Sequence, residues 1–402
     1  MKILVFTSYL TIPSLKGFNK NQSGFGYMVA NITLGLAKNK SLNINVLTQS
    51  NFTKAGQHEN LFILKRSFTK MLCFLRFNSI YSALVERNKY KKIGFGRLLL
   101  YKITCNYFNS ICTQYDVVHI HGVSPYTFDA IDYCIKNKIK GLVTIHGINY
   151  LNRSIGLSTL QKEKEKYFIK KITESENLTL SVISNGIKKR VIESLNLKPN
   201  NIELIPNFHD FNEANVDRTQ NIKTKYNIPK SSKIILSVGN YSRNKNQNQL
   251  IDAFNLLNNN DTYLILVGTG TENFLNSIEK KNLNQRVIAC GQIAKKDLPN
   301  YYLSSDVLAV TSISEGFGLP MIEALFFGLP VITFKDIDAV EDIFDNNNLM
   351  LVEERTTKCY AKGIEKALNK KWDSKMLKNS VRKFDANTIL SQYQKTLRKS
   401  KT

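Results

Sequence analysis

Short apolar runs alternate with longer helical periods along most of the chain. In the first half the predicted strands are Ile3–Thr7, Ile44–Thr48, Val117–His121, Leu142–Ile145 and Leu180–Ile183. Several, Ile3–Phe6 among them, are apolar without a break, as strands covered by helices on both faces are. Helical patterns fall between them, for example Tyr27–Lys38 and Leu160–Thr173. The pattern restarts in the second half with Ile234–Val238, a helix Gln247–Leu257, Tyr263–Val267 and a helix around Glu272–Lys281. Strands Val287–Ala289, Val307–Thr311 and Val331–Phe334 follow. Such alternation marks βαβ units and parallel sheets. A polar segment, 209–232, separates the two series and reads as a linker. The expected fold class is α/β, with two doubly wound Rossmann-like domains facing a cleft. Their bounds are 1–208 and 233–384, with a last helix, 385–402, packing back toward the N-terminal domain. Ligands of such sheets sit beyond the carboxyl ends of the strands, so chemistry is sought in the loops there.

The chain's 402 residues, 43% of them hydrophobic, suffice for two or three domains with a sizeable core. Charge alters the picture. The formal net charge is +24, and residues 1–200 hold 29 basic and 10 acidic residues against 27 and 22 in the remainder. The surplus in the first half points to an anionic partner: nucleic acid, anionic lipid or a phosphorylated substrate. Solubility of a Lys- and Asn-rich chain is the competing explanation. The six cysteines form no CxxC pair and have no histidines at zinc spacing, so free thiols in a reducing cytosol are expected. MKILVFTSYL has a lone lysine and too short an apolar run for a signal peptide. No stretch reaches the roughly 20 apolar residues that span a bilayer. The expectation is a cytoplasmic protein, soluble or peripheral on the inner face of the cell membrane.

The densest candidate chemistry is SEGFGLPMIEALFFGLPVI, residues 314–332. It leaves the predicted strand Val307–Thr311 at its carboxyl end. Pro320 suits the first position of a helix, where its missing N–H costs nothing. Gly328 can stop that helix in the left-handed conformation. The amides of Gly316, Phe317 and Gly318, with the helix N-terminus, form a natural anion site. Glu323 falls one turn inside the helix, and its carboxylate can accept two hydrogen bonds from a vicinal diol such as a ribose. Glu315 lies in the loop. Taken singly, Glu323 reads as complementing the helix dipole and Glu315 as a solvated loop residue; the combination carries the chemical signal. A glycosidase pair must flank one bond, for which two residues of one loop–helix unit are poorly suited.

This stretch resembles the retaining glycosyltransferases of family 4, which have the GT-B architecture and an E-x7-E signature. EGFGLPMIEALFFGLPVIT matches that signature nearly residue for residue. Six other segments match in order: VVHIHG (117–122), TIHG (144–147), ELIPNFHD (203–210), SVGNYSRNKNQ (237–247), LVGTGTE (266–272) and YYLSSDVLAVTS (301–312). The resemblance spans nearly the whole chain. It implies transfer of a sugar from a nucleotide-sugar, UDP by family frequency, to a hydroxyl of a glycan or lipid-linked acceptor. The anomeric configuration is kept, and no cofactor or obligatory metal is implied. Polysaccharide, glycolipid or glycoconjugate synthesis is the setting.

The resemblance also implies roles. Arg243 and Lys245, on the loop after Gly239, would hold the departing diphosphate, where fixed cations lower the barrier as negative charge grows. Arg forks onto two phosphate oxygens and Lys acts as a point charge. Many family members carry an arginine directly after that glycine; this chain has Asn240, so the arginine role passes to Arg243. Gly24 and Gly26 in SGFGYMV would form the first-domain turn facing the diphosphate. Gln292 and Ile293 would border the base and Glu323 the ribose. Glu315 would hold the donor sugar with the amides of Gly316, Phe317, Gly318 and Leu319. His146 would lie beside the reacting sugar in a positioning or electrostatic role, so His146 and Glu315 are the catalytic candidates. His119 and His121 read as structural.

Asp336–Ile337–Asp338 could chelate Mg²⁺ or Mn²⁺, but it opens the acidic run Asp336–Asp345 and reads as a solvated loop. Residues 65–102 hold ten Lys/Arg and one acid, Glu86, interleaved with Phe68, Phe74, Phe77, Tyr81, Tyr90 and Phe95. That mixture suits an anionic membrane surface near the acceptor site; an ordinary helical segment with basic outer faces is the plain alternative. Nucleic acid is not an expected partner, because no nucleic-acid motif is present. Two other functions remain open: a nucleotide-sugar epimerase of similar architecture, against which the E-x7-E pattern argues, and a basic nucleic-acid-binding protein.

Overall fold

The computed structural model describes residues 1–13, 15, 18, 24–49, 56–58, 60–64, 66–90, 93–152, 155–198, 202–211, 216, 220–257, 259–283, 285–345 and 347–400. Lys65, Lys91, Lys92 and part of the 209–232 segment lie outside them. The chain divides into two compact units, Met1–Asn207 with Ala386–Thr402, and Phe208–Asp385.

The first unit is built on a sheet of β1 (Lys2–Thr7), β2 (Asn43–Thr48), β3 (Gly56–His58), β4 (Leu61–Ile63), β5 (Val117–His121), β6 (Gly141–Ile145), β7 (Leu178–Val182) and β8 (Ile202–Leu204). Their spatial order is β3-β4-β2-β1-β5-β6-β7-β8. Only the β3–β4 pairing is antiparallel. Ile3, Leu4, Val5 and Phe6 are wholly buried, which is why β1 reads as an unbroken apolar run. The strand order reverses between β1 and β5. Helix Ala386–Lys399 completes this unit: Leu390 fills the space beside Gly35 of helix Gly24–Ala37, where a Cβ would overlap it. The Asn39 amide donates to Gln394 Oε1 at 3.2 Å.

The second unit holds β9 (Lys233–Val238), β10 (Thr262–Val267), β11 (Val287–Gly291), β12 (Val307–Val310), β13 (Val331–Phe334) and β14 (Leu349–Val352), in the order β11-β10-β9-β12-β13-β14. All of these pair in parallel. The reversal falls between β9 and β12.

Residues 220–232, within the expected linker, are packed into this unit. Ile222 and Ile228 are buried. The Lys223 ammonium donates to the carbonyls of Lys230 and Ser232 at 2.8 and 2.7 Å. The hydroxyls of Tyr226 and Tyr301 meet at 2.8 Å. Two isoleucines in a polar run anchor the short helix Ile222–Lys225.

Helix Leu319–Phe326 ends as the glycine pattern requires, with Gly328 at φ +77°. A Cβ there would overlap Ser374 Oγ. Gly328→Ala is therefore expected to cost about 1–3 kcal/mol, through positive φ and crowding. Gly96→Ala, on an open helix surface, should be neutral or slightly stabilising. Thermal melts of both variants check the contrast; equal melting points would remove the backbone argument.

Candidate functional site

The reversal between β9 and β12 sends their following loops apart and leaves a crevice at the carboxyl edge of the second sheet. Lys245 comes from the first loop and Glu315 from the second. The Lys245 ammonium donates to Glu315 Oε2 at 2.7 Å, and Ser312 Oγ donates to the same oxygen at 3.0 Å. The two loops are laced together. Asn244 Nδ2 donates to the Ser314 carbonyl at 2.8 Å, and the Ile313 amide to the Asn244 carbonyl at 2.7 Å. Thr311 Oγ1 donates to the carbonyls of Lys245 and Asn246 at 3.0 and 3.1 Å. From the far side the Arg355 guanidinium donates to the carbonyls of Ser312 and Ile313 at 3.0 and 3.1 Å.

Beyond Glu315 the chain enters helix Leu319–Phe326 through Gly318, which sits at φ +70° with no side-chain cap. Among the described residues no acceptor serves the amides of Gly316, Phe317 and Gly318. Pro320 lies in the first turn, with Leu319 opening the helix. Phe317 turns its ring into the unit, edge-on to Phe384 at 5.3 Å, and so leaves only its backbone at the loop. The arrangement is a cation, a carboxylate and free amides around one point, which suits a phosphate and a sugar hydroxyl.

Glu323 is buried at 6% exposure, and the Tyr302 hydroxyl donates to its Oε2 at 2.7 Å. Burial pushes the Glu323 carboxyl up to about 7; Lys295 and the Tyr302 bond oppose that rise and Asp210 adds to it. Arg243 is exposed on the β9 loop and makes no ion pair among the described residues. Asn240 is exposed, its Oδ1 accepting from the Thr269 amide at 3.0 Å. Gln292 and Ile293 follow β11; Gln292 is exposed and accepts from Thr269 Oγ1 at 3.5 Å.

The first unit carries the remaining candidates. Gly24 and Gly26 are not in a turn ahead of a helix: both lie in the first turn of helix Gly24–Ala37. Gly26 is buried, and its carbonyl accepts from the Thr11 amide at 3.1 Å. The residue between them, Phe25, sets its ring edge-on to His146 at 5.0 Å. His146 follows β6, and its Nε2 shares a hydrogen bond with His121 Nδ1 at 3.1 Å. Burial pushes His146 down to about 4 and His121 well below the usual range. That shift favours the neutral ring of His146, suited to hydrogen bonding. His146 Nδ1 is buried with no hydrogen-bond partner among the described residues. His121, read as structural, touches His146 directly. The loop after His146 is anchored by Glu165, which accepts from the Asn149 amide at 3.0 Å and which burial pushes up to about 8.

Sequence reasoning did not reach Tyr302, Arg355 or the Lys295–Asp210 ion pair. YYLSSD offered two tyrosines and no sign of which one meets Glu323. Two of the ten cations in residues 65–102 are removed from the basic surface. Arg66 is buried at 1% exposure, donating to the Thr48 carbonyl at 2.6 Å. Lys102 is held between Glu86 and Asp129 at 3.1 and 3.2 Å. Tyr90 is likewise core. Asp336 of the Asp-Ile-Asp stretch is taken by Arg355 at 2.7 Å.

The raised Glu323 carboxyl has a signed consequence for stability. The folded group holds its proton to higher pH than the unfolded one, so the stability tied to its protonated form is full below 4.5 and is lost as pH rises through about 7. Glu323→Gln keeps an acceptor for Tyr302 and lacks that titration. Relative to wild type, the variant should gain up to about 3 kcal/mol between pH 5 and pH 8. Urea melts at both pH values read the difference, from which Glu165 cancels; a pH-independent difference would contradict the assignment.

Two family models match the chain: Glycosyltransferase Family 4 over residues 77–213 and Glycosyl transferases group 1 over residues 218–384. N-acetyl-alpha-D-glucosaminyl L-malate synthase of Bacillus anthracis is 28% identical over 226 residues, covering 54% of this chain and 56% of that protein. Sucrose-phosphate synthase from Thermosynechococcus elongatus aligns over 99% of both chains with a TM-score of 0.73 and 16% identity. Anabaena HepE in complex with UDP and glucose aligns over 99% of this chain and 100% of that one, with a TM-score of 0.68 and 17% identity. At such identities the structural likeness shows a common fold, two parallel-sheet α/β domains of the GT-B kind. With both family models matched in order along it, the chain belongs to the family 4-type glycosyltransferases of the GT-B fold.

Proposed function

We propose that this glycosyltransferase moves a sugar from a nucleotide-sugar, a UDP-sugar foremost, to a hydroxyl of a glycan or lipid-linked acceptor in polysaccharide or glycoconjugate synthesis. The anomeric configuration is retained and no resident metal is used. The observation that carries the reading is the Lys245–Glu315 pair at the β9/β12 reversal, beside amides that no described acceptor serves. The UDP and glucose bound by HepE, which shares the fold, support UDP as the first base to try.

In this reading the bond between the sugar C1 and the diphosphate oxygen breaks as the acceptor oxygen bonds to C1 on the same face. The acceptor proton passes to the departing phosphate oxygen. Lys245, Arg243 and the amides of residues 316–319 meet the charge growing on the diphosphate. Glu315 accepts from hydroxyls of the donor sugar, and Glu323 accepts from the ribose diol. Gln292 and Ile293 border the base. Gly24 and Gly26, in a helix's first turn, offer small surface and backbone rather than a flexible turn. His146 contributes a neutral ring to hydrogen bonding at the sugar.

An anionic membrane is the proposed surface for a lipid-linked acceptor, at the inner face of the cell membrane. Helix Phe77–Glu86 turns its small residues Ser79 and Ala83 inward. It leaves Phe77 at 82% exposure, Tyr81 at 64%, Leu84 at 42% and Val85 at 44%. These fall at i, i+4, i+7 and i+8, one outward stripe. Arg76, Arg87 and Lys89 are exposed around it. An outward apolar stripe edged with cations is what an interfacial helix presents to anionic lipid.

A panel of nucleotide-sugars tested by thermal shift reads the donor. A true donor at 100-fold its Kd should stabilise the protein by about 2.7 kcal/mol. Lys245→Ala should lose that shift while still folding, and a chelator should leave activity unchanged. If no nucleotide-sugar or nucleoside diphosphate moves the melting point, the donor assignment fails.

For the membrane surface, flotation with vesicles containing phosphatidylserine should recover wild type at moderate salt. Phe77→Asp combined with Tyr81→Asp should abolish recovery. Equal flotation of both proteins would rule this stripe out.

A further inference from the structure

We propose that Tyr302 is a positioning residue for nucleotide binding: its hydroxyl fixes Glu323 by one carboxylate oxygen and leaves the other to meet the donor. The inference rests on reading Glu323 as the group that receives the ribose diol. Tyr302 comes from helix Leu298–Ser304 and Glu323 from helix Leu319–Phe326. The hydroxyl donates to Oε2 at 2.7 Å, between side chains that are 1% and 6% exposed. No other described residue donates to Glu323. The Tyr302 ring is itself held, stacked on Phe327 at 5.7 Å and 14°. Phe327 follows the Glu323 helix directly and packs edge-on against Phe326 at 5.0 Å. The place of the hydroxyl is therefore set by packed rings on both helices.

A buried carboxylate can escape its cost in two ways. It can swing toward solvent, or it can take up a proton. A short donor bond opposes both, because it binds one oxygen in place and favours the ionised form. The other groups acting on Glu323 are Lys295 and Asp210, which are ion-paired to each other. Their opposite signs partly offset at Glu323. Tyr302 has no such counterweight. Its loss would leave Glu323 unanchored and protonated over a wider pH range, so the ribose would meet an acid where it needs an acceptor. A tyrosine that merely fills the core would change stability and leave the Glu323 titration where it was.

The test uses the full chain carrying ¹³C-carboxyl glutamate. The Glu323 resonance, assigned by its loss in Glu323→Gln, is titrated in wild type and in Tyr302→Phe, which removes only the hydroxyl. The midpoint is expected to rise by about one pH unit or more in Tyr302→Phe. UDP affinity, measured by calorimetry, should fall about fivefold or more at pH 6.5 and agree within about twofold at pH 9. Should Tyr302→Phe fold poorly, fluorotyrosine at position 302 keeps the ring and strengthens the donor, and it should move the midpoint down. An unmoved midpoint overturns the proposal whatever UDP does. A moved midpoint with unchanged UDP affinity at pH 6.5 also overturns it, because Glu323 would then be held for some other purpose. A moved midpoint with no UDP binding to wild type at any pH refutes the ribose reading, and Tyr302 loses its assigned role with it.

Discussion

An ammonium and a carboxylate 2.7 Å apart, Lys245 and Glu315, sit where the second sheet reverses its strand order. The loops that line the β9/β12 crevice meet at that pair. A fully exposed contact of this kind contributes little, but here both side chains are mostly covered, 24% and 16% exposed. The pair is one tie among several. Thr311, Asn244 and Arg355 side chains and the Ile313 amide also donate to backbone carbonyls of the two loops. The consequence is chemical. Because the scaffold does not depend on the ion pair, Lys245 can exchange Glu315 for another anion without the loops losing their shape. Glu315 would then be free for hydroxyl groups.

Burial sorts the remaining ionisable groups into two kinds. In the first unit it pushes His119, His121 and His146 toward their neutral forms, and among the described residues no carboxylate opposes that shift. In the second unit the exposed Arg243 and the mostly covered Lys245 lie on one loop, and Lys245 pairs with Glu315 just ahead of amides that no described acceptor serves. At the β9/β12 crevice charged groups prevail, whereas at the end of β6 the neighbouring groups are neutral histidines. Glu323 stands between these kinds. It is buried enough to favour its acid and bonded well enough to resist it, so its state depends on neighbours more than on its own chemistry.

Much of the fold was legible because it follows from continuous apolar runs. β1, β5 and β13 are wholly buried along their inner lengths and stand out as such. What escaped was short or was decided by tertiary contact. β3, β4 and β8 are three residues each, too brief for a period to declare itself. Helix Phe95–Ile111 mixes buried Lys102 and Thr104 with exposed positions, so its stripe is blurred. Two isoleucines outweighed the polar composition of residues 220–232. The glycines Gly24 and Gly26 suggested a turn, yet small residues also suit a helix start pressed against another element. At the site, residue types and spacing pointed to Lys245, Glu315 and Glu323. The partners that tune them, Tyr302 and Arg355, come from distant segments, and nothing in a linear pattern pairs them.

The uneven charge also takes on a structural meaning. Some first-half cations are internal: Lys102 and Lys164 both bind Glu86, which draws the inner side of helix Phe77–Glu86 onto its neighbours. That attachment is ionic and small-residue in character, with Ser79 and Ala83 facing in. The apolar side chains are left outside. An exposed apolar stripe of this kind is prone to self-association. The exposed cations around it oppose that, since two copies approaching face to face would bring like charges together. The same cations attract an anionic surface. Both effects, repulsion of a second copy and attraction to an anionic surface, weaken together as salt is added.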